Sequence, residues 1–337
     1  MSSTRGRAVP APTRSCYANA VLGRRRSRKS GSEAEIQALA KRVGTVEAFA
    51  ADAVAGLAAQ QRALEGLDAR ITNLERAREI WSTMAYVRDA VVDDKALVSV
   101  VLATRNRSSY LPRAVGSVLA QSYPNWELLA VDDGSDDDTF ETLEGFGDER
   151  IRCFRTPHRG VTATRNHALA QASGDYVAYI DDDNVMHPDW LRSIVWAFTT
   201  WPATECLYGA VVMAGVAADA DADQPSHPGM PWLWFVPYDR DHLRRENLTD
   251  IGAVAHRAGV PEAVFDEDLV TYDDWDLLLR MANARDLLAL PVVAETYSTS
   301  APNRLTGSAG YDGAFHQVHR KHALPGDAPG TTEATDR

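Results

Sequence analysis

GDYVAYIDDDN, residues 174–184, is the stretch from which the rest of the chain can be read. Tyr176 to Ile180 form a short apolar run, which predicts a buried strand. The run ends directly in three carboxylates, Asp181, Asp182 and Asp183. Adjacent like charges repel, so three at one strand end call for a positive partner. A divalent cation meets that need, because Mg²⁺ and Mn²⁺ take oxygen ligands and bridge protein carboxylates to phosphates. In open α/β sheets, ligands bind outside the carboxyl ends of strands, where these aspartates would lie. The competing reading is a solvated acidic turn.

Outward from this stretch, strands and helices alternate. Residues 97–103 (LVSVVLA) read as a buried strand, 104–109 as a polar turn, and 111–121 as a helix with Leu111, Val115, Val118 and Leu119 on one face. Residues 126–131 read as a second strand. It ends in Asp132-Asp133-Gly134-Ser135, again carboxylates at a strand's end. A helix over 138–146, a strand at 151–155 and a helix over 161–173 lead into the central stretch. A helix over 189–200, a strand at 207–214 and a helix over 274–283 follow it. Such alternation predicts a mostly parallel sheet with helices on both faces. Residues 216–230 read as a flexible loop. Residues 231–238 (PWLWFVPY) read either as a substrate-facing wall or lid, or as an irregular core plug. From about Gly307 the chain reads as a loosely ordered tail.

The chain has 337 residues, enough for one large domain or two modest ones. Its net charge of -12 argues against general nucleic-acid binding. The charge is uneven. Eight of the 35 Lys and Arg lie in residues 1–30, which hold no Asp or Glu, leaving 27 basic against 47 acidic residues beyond. That basic tail is expected to be disordered. Cys16, Cys153 and Cys206 are widely spaced and suggest neither a disulfide framework nor a zinc site. A reducing compartment fits, and a cytoplasmic protein is expected, with a peripheral place at a membrane as the alternative. No stretch approaches 18 apolar residues, so no transmembrane helix is expected.

Residues 33–85 follow a heptad. One seam position takes Ile36, Val43, Ala50, Leu57, Leu64 and Ile71. The other takes Leu39, Val46, Ala53, Gln60, Leu67, Leu74 and Trp81. No proline interrupts the stretch. This spacing predicts a long helix over 31–92 with a coiled-coil seam, and homo-oligomerisation through residues 33–85. The alternative is a helix folded back on the chain's own catalytic domain.

The run from Val98 to Met213 resembles the inverting family-2 glycosyltransferases of the GT-A fold, in the family's own motif order. VSVVLATRNR (98–107) is similar to the first strand and nucleotide loop, and LLAVDDGSDDDT (128–139) to the second strand and its turn. RGVTATRNHALAQASGDYVAYIDDDN (159–184) is similar to the helix leading into the DxD strand. NLTDIGAVAHRAGVPEAVFDEDLVTYDDWDLLLRM (247–281) resembles the acceptor segment with its catalytic carboxylate. The resemblance covers about residues 97–300, so it implies an α/β GT-A, Rossmann-like domain over 97–305.

It also implies roles. Thr104, Arg105, Asp132, Asp133, Arg165, Asp181 and Asp182 would bind a nucleotide-diphosphate sugar, a UDP-sugar being favoured. Asp132 or Asp133 would meet the base, and Arg165 would approach the nucleotide or its diphosphate. Asp183, with Asp181, would hold Mn²⁺ or Mg²⁺. Asp274 would be the general base, with Asp273 as the neighbouring alternative. Trp232, Trp234 and Trp275 are candidate acceptor contacts. Two departures stand out. Arg105 occupies a position where the family often has an aromatic residue, although a guanidinium can also stack. Ser300 stands about where many relatives carry a histidine, which leaves a third protein ligand to the metal in question. The rival functions are a coiled-coil scaffold that only binds a sugar nucleotide, and a sugar-phosphate nucleotidyltransferase. The second rival would show a glycine-rich loop after the first strand, which Thr104-Arg105-Asn106-Arg107 lacks.

Overall fold

The computed structural model describes residues 31–214, 232–298 and 311–323. The expectations for residues 1–30, the loop at 216–230 and Ser300 lie outside the described residues. The chain divides into two units, Met1–Ile71 and Thr72–Arg337.

The described part of the first unit is helix alone, the beginning of α1 (Gly31–Asp89). Alanine-rich sequence without proline favours this conformation. Leu39, Val43, Leu57, Leu64, Leu67 and Ile71 are exposed along it. The last turns of α1 belong to the second unit. There Ile80, Met84 and Val87, spaced along one helical face, are buried. Arg192 donates from Nε to the Val87 carbonyl (3.0 Å) and from Nη2 to the Ala90 carbonyl, satisfying oxygens the helix end leaves open.

The second unit is built on one sheet of nine strands among the described residues. Its first half is parallel: β1 (Val98–Thr104) lies between β2 (Trp126–Asp132) and β4 (Tyr176–Asp181), and β3 (Ile151–Arg155) flanks β2. The linking helices are α2 (Leu111–Leu119), α3 (Thr139–Glu144) and α4 (Val161–Leu169). Both faces are covered, so alternate residues enter different cores. Val100, Leu128 and Ala178 join the cluster that includes α2 and α5 (Trp190–Thr200). Val101, Leu129 and Val177 join the cluster that includes α7 (Asp273–Ala284). Gly174, which opens the deciding stretch, admits the backbone of Leu97 and Ser99 where a side chain would collide.

The second half is mixed, unlike the mostly parallel sheet the alternation predicts. β8 (Val254–Arg257) runs antiparallel to β4 and to β6 (Cys206–Ala214), while β9 (Leu288–Ser298) lies parallel to β6. β5 (Val185–Met186) and β7 (Trp232–Trp234) add short antiparallel edges, so part of the 231–238 segment is strand. A short helix α6 (Arg240–Leu243) precedes β8. Within the C-terminal tail only residues 311–323 are described. α8 (Tyr311–His322) packs Phe315 and Val318 against the core around Trp275.

Candidate active site

The parallel strands aim their carboxyl ends into a cleft of about 1130 Å³. Thr104, Arg105, Asp133, Arg165, Asp181, Asp182, Asp183, Asp273, Asp274 and Trp234 all line it. Segments up to 170 residues apart in sequence are thus brought together by one topological feature, the end of β1, β2 and β4.

Each carboxylate of the triplet has a basic or hydroxyl neighbour. Asp181 Oδ1 accepts from Arg165 Nη2 at 2.6 Å. Asp182 Oδ2 accepts from the Thr104 hydroxyl at 2.7 Å. Arg107 sits 3.8 Å from both Asp182 and Asp183. Burial pushes the Asp182 carboxyl up to about 7. The Thr104 hydrogen bond and Arg107 oppose that shift, and Asp183 and Asp181 add to it. A hard cation fits this all-oxygen donor set only in part. No cluster of three or more His, Cys, Asp or Glu with metal-binding placement occurs among the described residues. The arrangement suits an ion completed by phosphate and water oxygens, the usual mode for Mg²⁺.

The two aspartates after β2 have separate positions. Asp132 is fully buried behind the cleft. It accepts from the backbone N–H (3.0 Å) and hydroxyl of Ser135, and lies 3.2 Å from Arg155 Nε. Asp133 faces the cleft. Its Oδ1 accepts from Arg159 N (2.8 Å), and its Oδ2 from Gly160 N (2.9 Å) and His158 Nδ1 (2.7 Å). Asn106, held at φ 54°, accepts from Asp136 N through its side chain and donates from its backbone to Ser135, locking the β1 loop to this turn.

Across the cleft, Tyr272 adopts a left-handed φ of 58° and turns the chain into α7. Such strain in a bulky residue clusters at functional sites. The first turn of α7 then presents Asp273 and Asp274 at a helix N-terminus, where negative charge is favoured. Asp273 is paired with Arg165, whose guanidinium therefore joins α7 to the acidic triplet. Burial opposes the Arg165 charge. The carboxylates of Asp273 and Asp181 more than offset it and hold the guanidinium protonated above its ordinary value. Asp274 accepts from Asn247 Nδ2 (2.9 Å) and Trp275 N (2.7 Å). Its carboxyl is raised well above the usual range, by burial first and then by the charges of Asp273 and Asp250.

The three tryptophans do not share one role. Trp234 lines the cleft. Trp232 is 46% exposed on the β7 edge and is not among the residues facing the cleft. Trp275 is wholly buried in the core and donates from Nε1 to the Leu243 carbonyl at 2.7 Å, and it is not among the residues facing the cleft. Other cleft residues escape the motif reading. Arg107 and Arg159 add positive charge, and Asn247, Asp250 and Tyr297 also line the cleft. Glu295 is buried, with its carboxyl raised by burial and then by the charge of Asp250, which is half-buried. Gly252 leaves room for that carboxylate, because any side chain there would overlap it. The flexible spacing between these segments hides the set from sequence; only acidic residues inside apolar strands, as at Glu295, give a signal.

Residues 99–269 match the family model described as glycosyl transferase family 2. The chain is 30% identical over 243 residues to the putative colanic acid biosynthesis glycosyl transferase WcaA of Escherichia coli K12, a match covering 67% of this chain and 81% of that protein. It is 40% identical over 94 residues to the UDP-Glc:alpha-D-GlcNAc-diphosphoundecaprenol beta-1,3-glucosyltransferase WfgD of Escherichia coli, covering 27% of this chain and 37% of WfgD. Among solved structures, S. aureus TarS 1-349 in complex with UDP-GlcNAc superposes with a TM-score of 0.52 at 20% identity, over 67% of this chain and 65% of that one. That likeness concerns the fold. The chain spans most of WcaA, but less than two thirds of the WfgD and TarS chains.

Proposed function

We infer the reaction from one premise: this chain belongs to glycosyl transferase family 2 and is a glycosyltransferase. We propose that it moves a sugar from a nucleoside-diphosphate donor to an acceptor hydroxyl in a single displacement with inversion. The observation that carries this reading is the Arg165 bridge, which fixes Asp273-Asp274 on the wall opposite the acidic triplet. A UDP-sugar is the favoured donor, supported by the UDP-GlcNAc bound to TarS and the UDP-Glc in the name of WfgD.

Asp133, rather than Asp132, receives the base. Three of its roughly four lone-pair sites already take N–H groups, which leaves one on Oδ1 for a base N–H. Arg105 flanks the cleft where the base or ribose would lie, and Arg165 and Arg107 set positive charge near the diphosphate. Asp183 and Asp181 would hold a Mg²⁺ or Mn²⁺ ion, which when bound neutralises charge on the leaving diphosphate. Asp274 accepts the acceptor's proton as its oxygen bonds to the anomeric carbon and the bond to phosphate breaks. A carboxyl raised by burial and by the charges of Asp273 and Asp250 is a stronger base than an exposed one.

Asp274→Asn tests the assignment. The amide keeps the size and the Trp275 contact but cannot take a proton. Turnover falls about 10²–10⁴-fold while nucleotide affinity by calorimetry stays within about twofold. Undiminished turnover would remove Asp274 as base and move attention to Asp273.

A further inference from the structure

We propose that α1 pairs with α1 of a second copy of this chain as a parallel, in-register, two-stranded coiled coil. The inference stands apart from the transfer reaction. In the single chain the seam side chains are bare: Leu57, Leu64, Leu67, Ile71 and Leu74 are 65, 66, 50, 54 and 71% exposed. The helix runs 59 residues, about 88 Å, with no proline in it. Isolated helices gain little in water, and most helical stability comes from packing an apolar face.

Charge beside the seam selects the occupant and its direction. In a parallel, in-register pair, the residue just before a first seam position meets the partner residue five places further along. Arg42 then meets the partner's Glu47, and Arg70 meets the partner's Glu75. Between them Phe49, 75% exposed, meets the partner's Val54, 66% exposed. Both charge contacts are attractive and the third is apolar. An antiparallel pairing centred on the same heptads would instead set Glu47 against the partner's Glu75. Strand number follows from side-chain shape. The heptads Ile36/Leu39 and Ile71/Leu74 set a β-branched residue at the first seam position and leucine at the second, the pairing that favours two strands, while Leu57 and Leu64 at the first position add no such preference. The seam stops near Trp81, because Arg78 takes the next first position and Ile80, Met84 and Val87 turn into the chain's own core.

The test uses the full chain. Sedimentation equilibrium is expected to give twice the 36.9 kDa chain mass at micromolar concentration. Leu67→Cys in a Cys16→Ser background is expected to form an intermolecular disulfide on mild oxidation, since a parallel, in-register pair puts the two 67 positions in contact and the antiparallel register that opposes Glu47 to Glu75 does not. Glu47→Arg with Glu75→Arg weakens the dimer about tenfold or more by repulsion, and adding Arg42→Glu with Arg70→Glu restores it. An unchanged nucleotide-induced shift in melting temperature separates lost pairing from lost folding. A monomer, a trimer, a dimer without the 67–67 disulfide, or charge reversals that leave the dimer unmoved would each overturn the proposal.

Discussion

His256 shows how a single buried residue ties the fold to pH. Its Nδ1 faces the Arg257 carbonyl at 2.8 Å and must donate the proton, so Nε2 accepts from the Tyr179 hydroxyl at 2.7 Å. Charging the ring would break that contact inside the core, and burial lowers its pKa to about 4. The unfolded chain takes up the proton near the ordinary 6.5, before the folded one does. Stability from this residue is therefore complete above 6.5 and declines as pH falls toward 4, by about 3 kcal/mol in all. Chemical denaturation at pH 7.5 and 4.5 should show that loss, and His256→Gln should flatten the slope while lowering stability at pH 7.5. A slope equal in both proteins would place the pH dependence elsewhere. Arg165 carries a larger local stake. Arg165→Met leaves the buried Asp273 and the half-buried Asp181 without their shared cation, at a cost of about 3–5 kcal/mol, read as a lower urea midpoint with an unchanged m value. At this scale the site was half legible in the sequence. Asp133, Asp181, Asp183 and Asp274 stand at strand or helix ends where motif order finds them. The pairing of Arg165 with Asp273, 108 residues away, is invisible before the chain is folded.

At the scale of elements, one aspartate adds a polar clasp to the apolar packing of α8 on α7. Asp276 is wholly buried and meets Arg280 Nε at 2.9 Å, Lys321 Nζ at 2.7 Å and His322 Nε2 at 2.8 Å. Burial alone would raise its pKa; His322, Lys321 and Arg280 outweigh that and hold it well below the usual carboxylate range. Its contribution is present above the ordinary carboxylate pKa and is lost only as pH falls through the depressed value. Asp276→Asn should cost about 3 kcal/mol and free α8 first, so amide exchange should speed up in 313–322 before it changes in β1 or β4. Uniform exchange across the unit would contradict this clasp. The same scale explains what the sequence concealed. Apolar runs joined by amphipathic helices announce β1 to β4, because parallel strands must be buried on both faces. β8 has four residues, too few for a pattern. β9 is broken in sequence by Pro291, which sits where the pairing with β6 slips register beside Gly209. Proline inside a run argues against a strand until a bulge makes room for it.

For the whole molecule, charge decides how the donor binds. The chain carries -12 overall, and its cleft gathers Asp133, Asp181, Asp182, Asp183, Asp273 and Asp274. A diphosphate entering that field is repelled unless cations accompany it. Arg107 and Arg165 are already engaged with these carboxylates, so the protein's own positive charge offsets only part of the repulsion. Nucleotide and divalent ion should therefore bind as a coupled pair, each weak alone. Linkage requires the coupling to be reciprocal: if Mn²⁺ tightens UDP by some factor, UDP tightens Mn²⁺ by the same factor. A factor of about 10–100 is expected, within the usual range of such couplings. Calorimetry supplies all four arms, UDP with and without Mn²⁺ and Mn²⁺ with and without UDP. Asp183→Ala should bring both factors close to one while leaving the weak metal-free affinity for UDP nearly intact, because Asp133 and Arg165 are untouched. UDP affinity indifferent to Mn²⁺ in the unaltered chain would show that the arginines suffice, and the acidic triplet would then need a purpose other than holding an ion between protein and diphosphate.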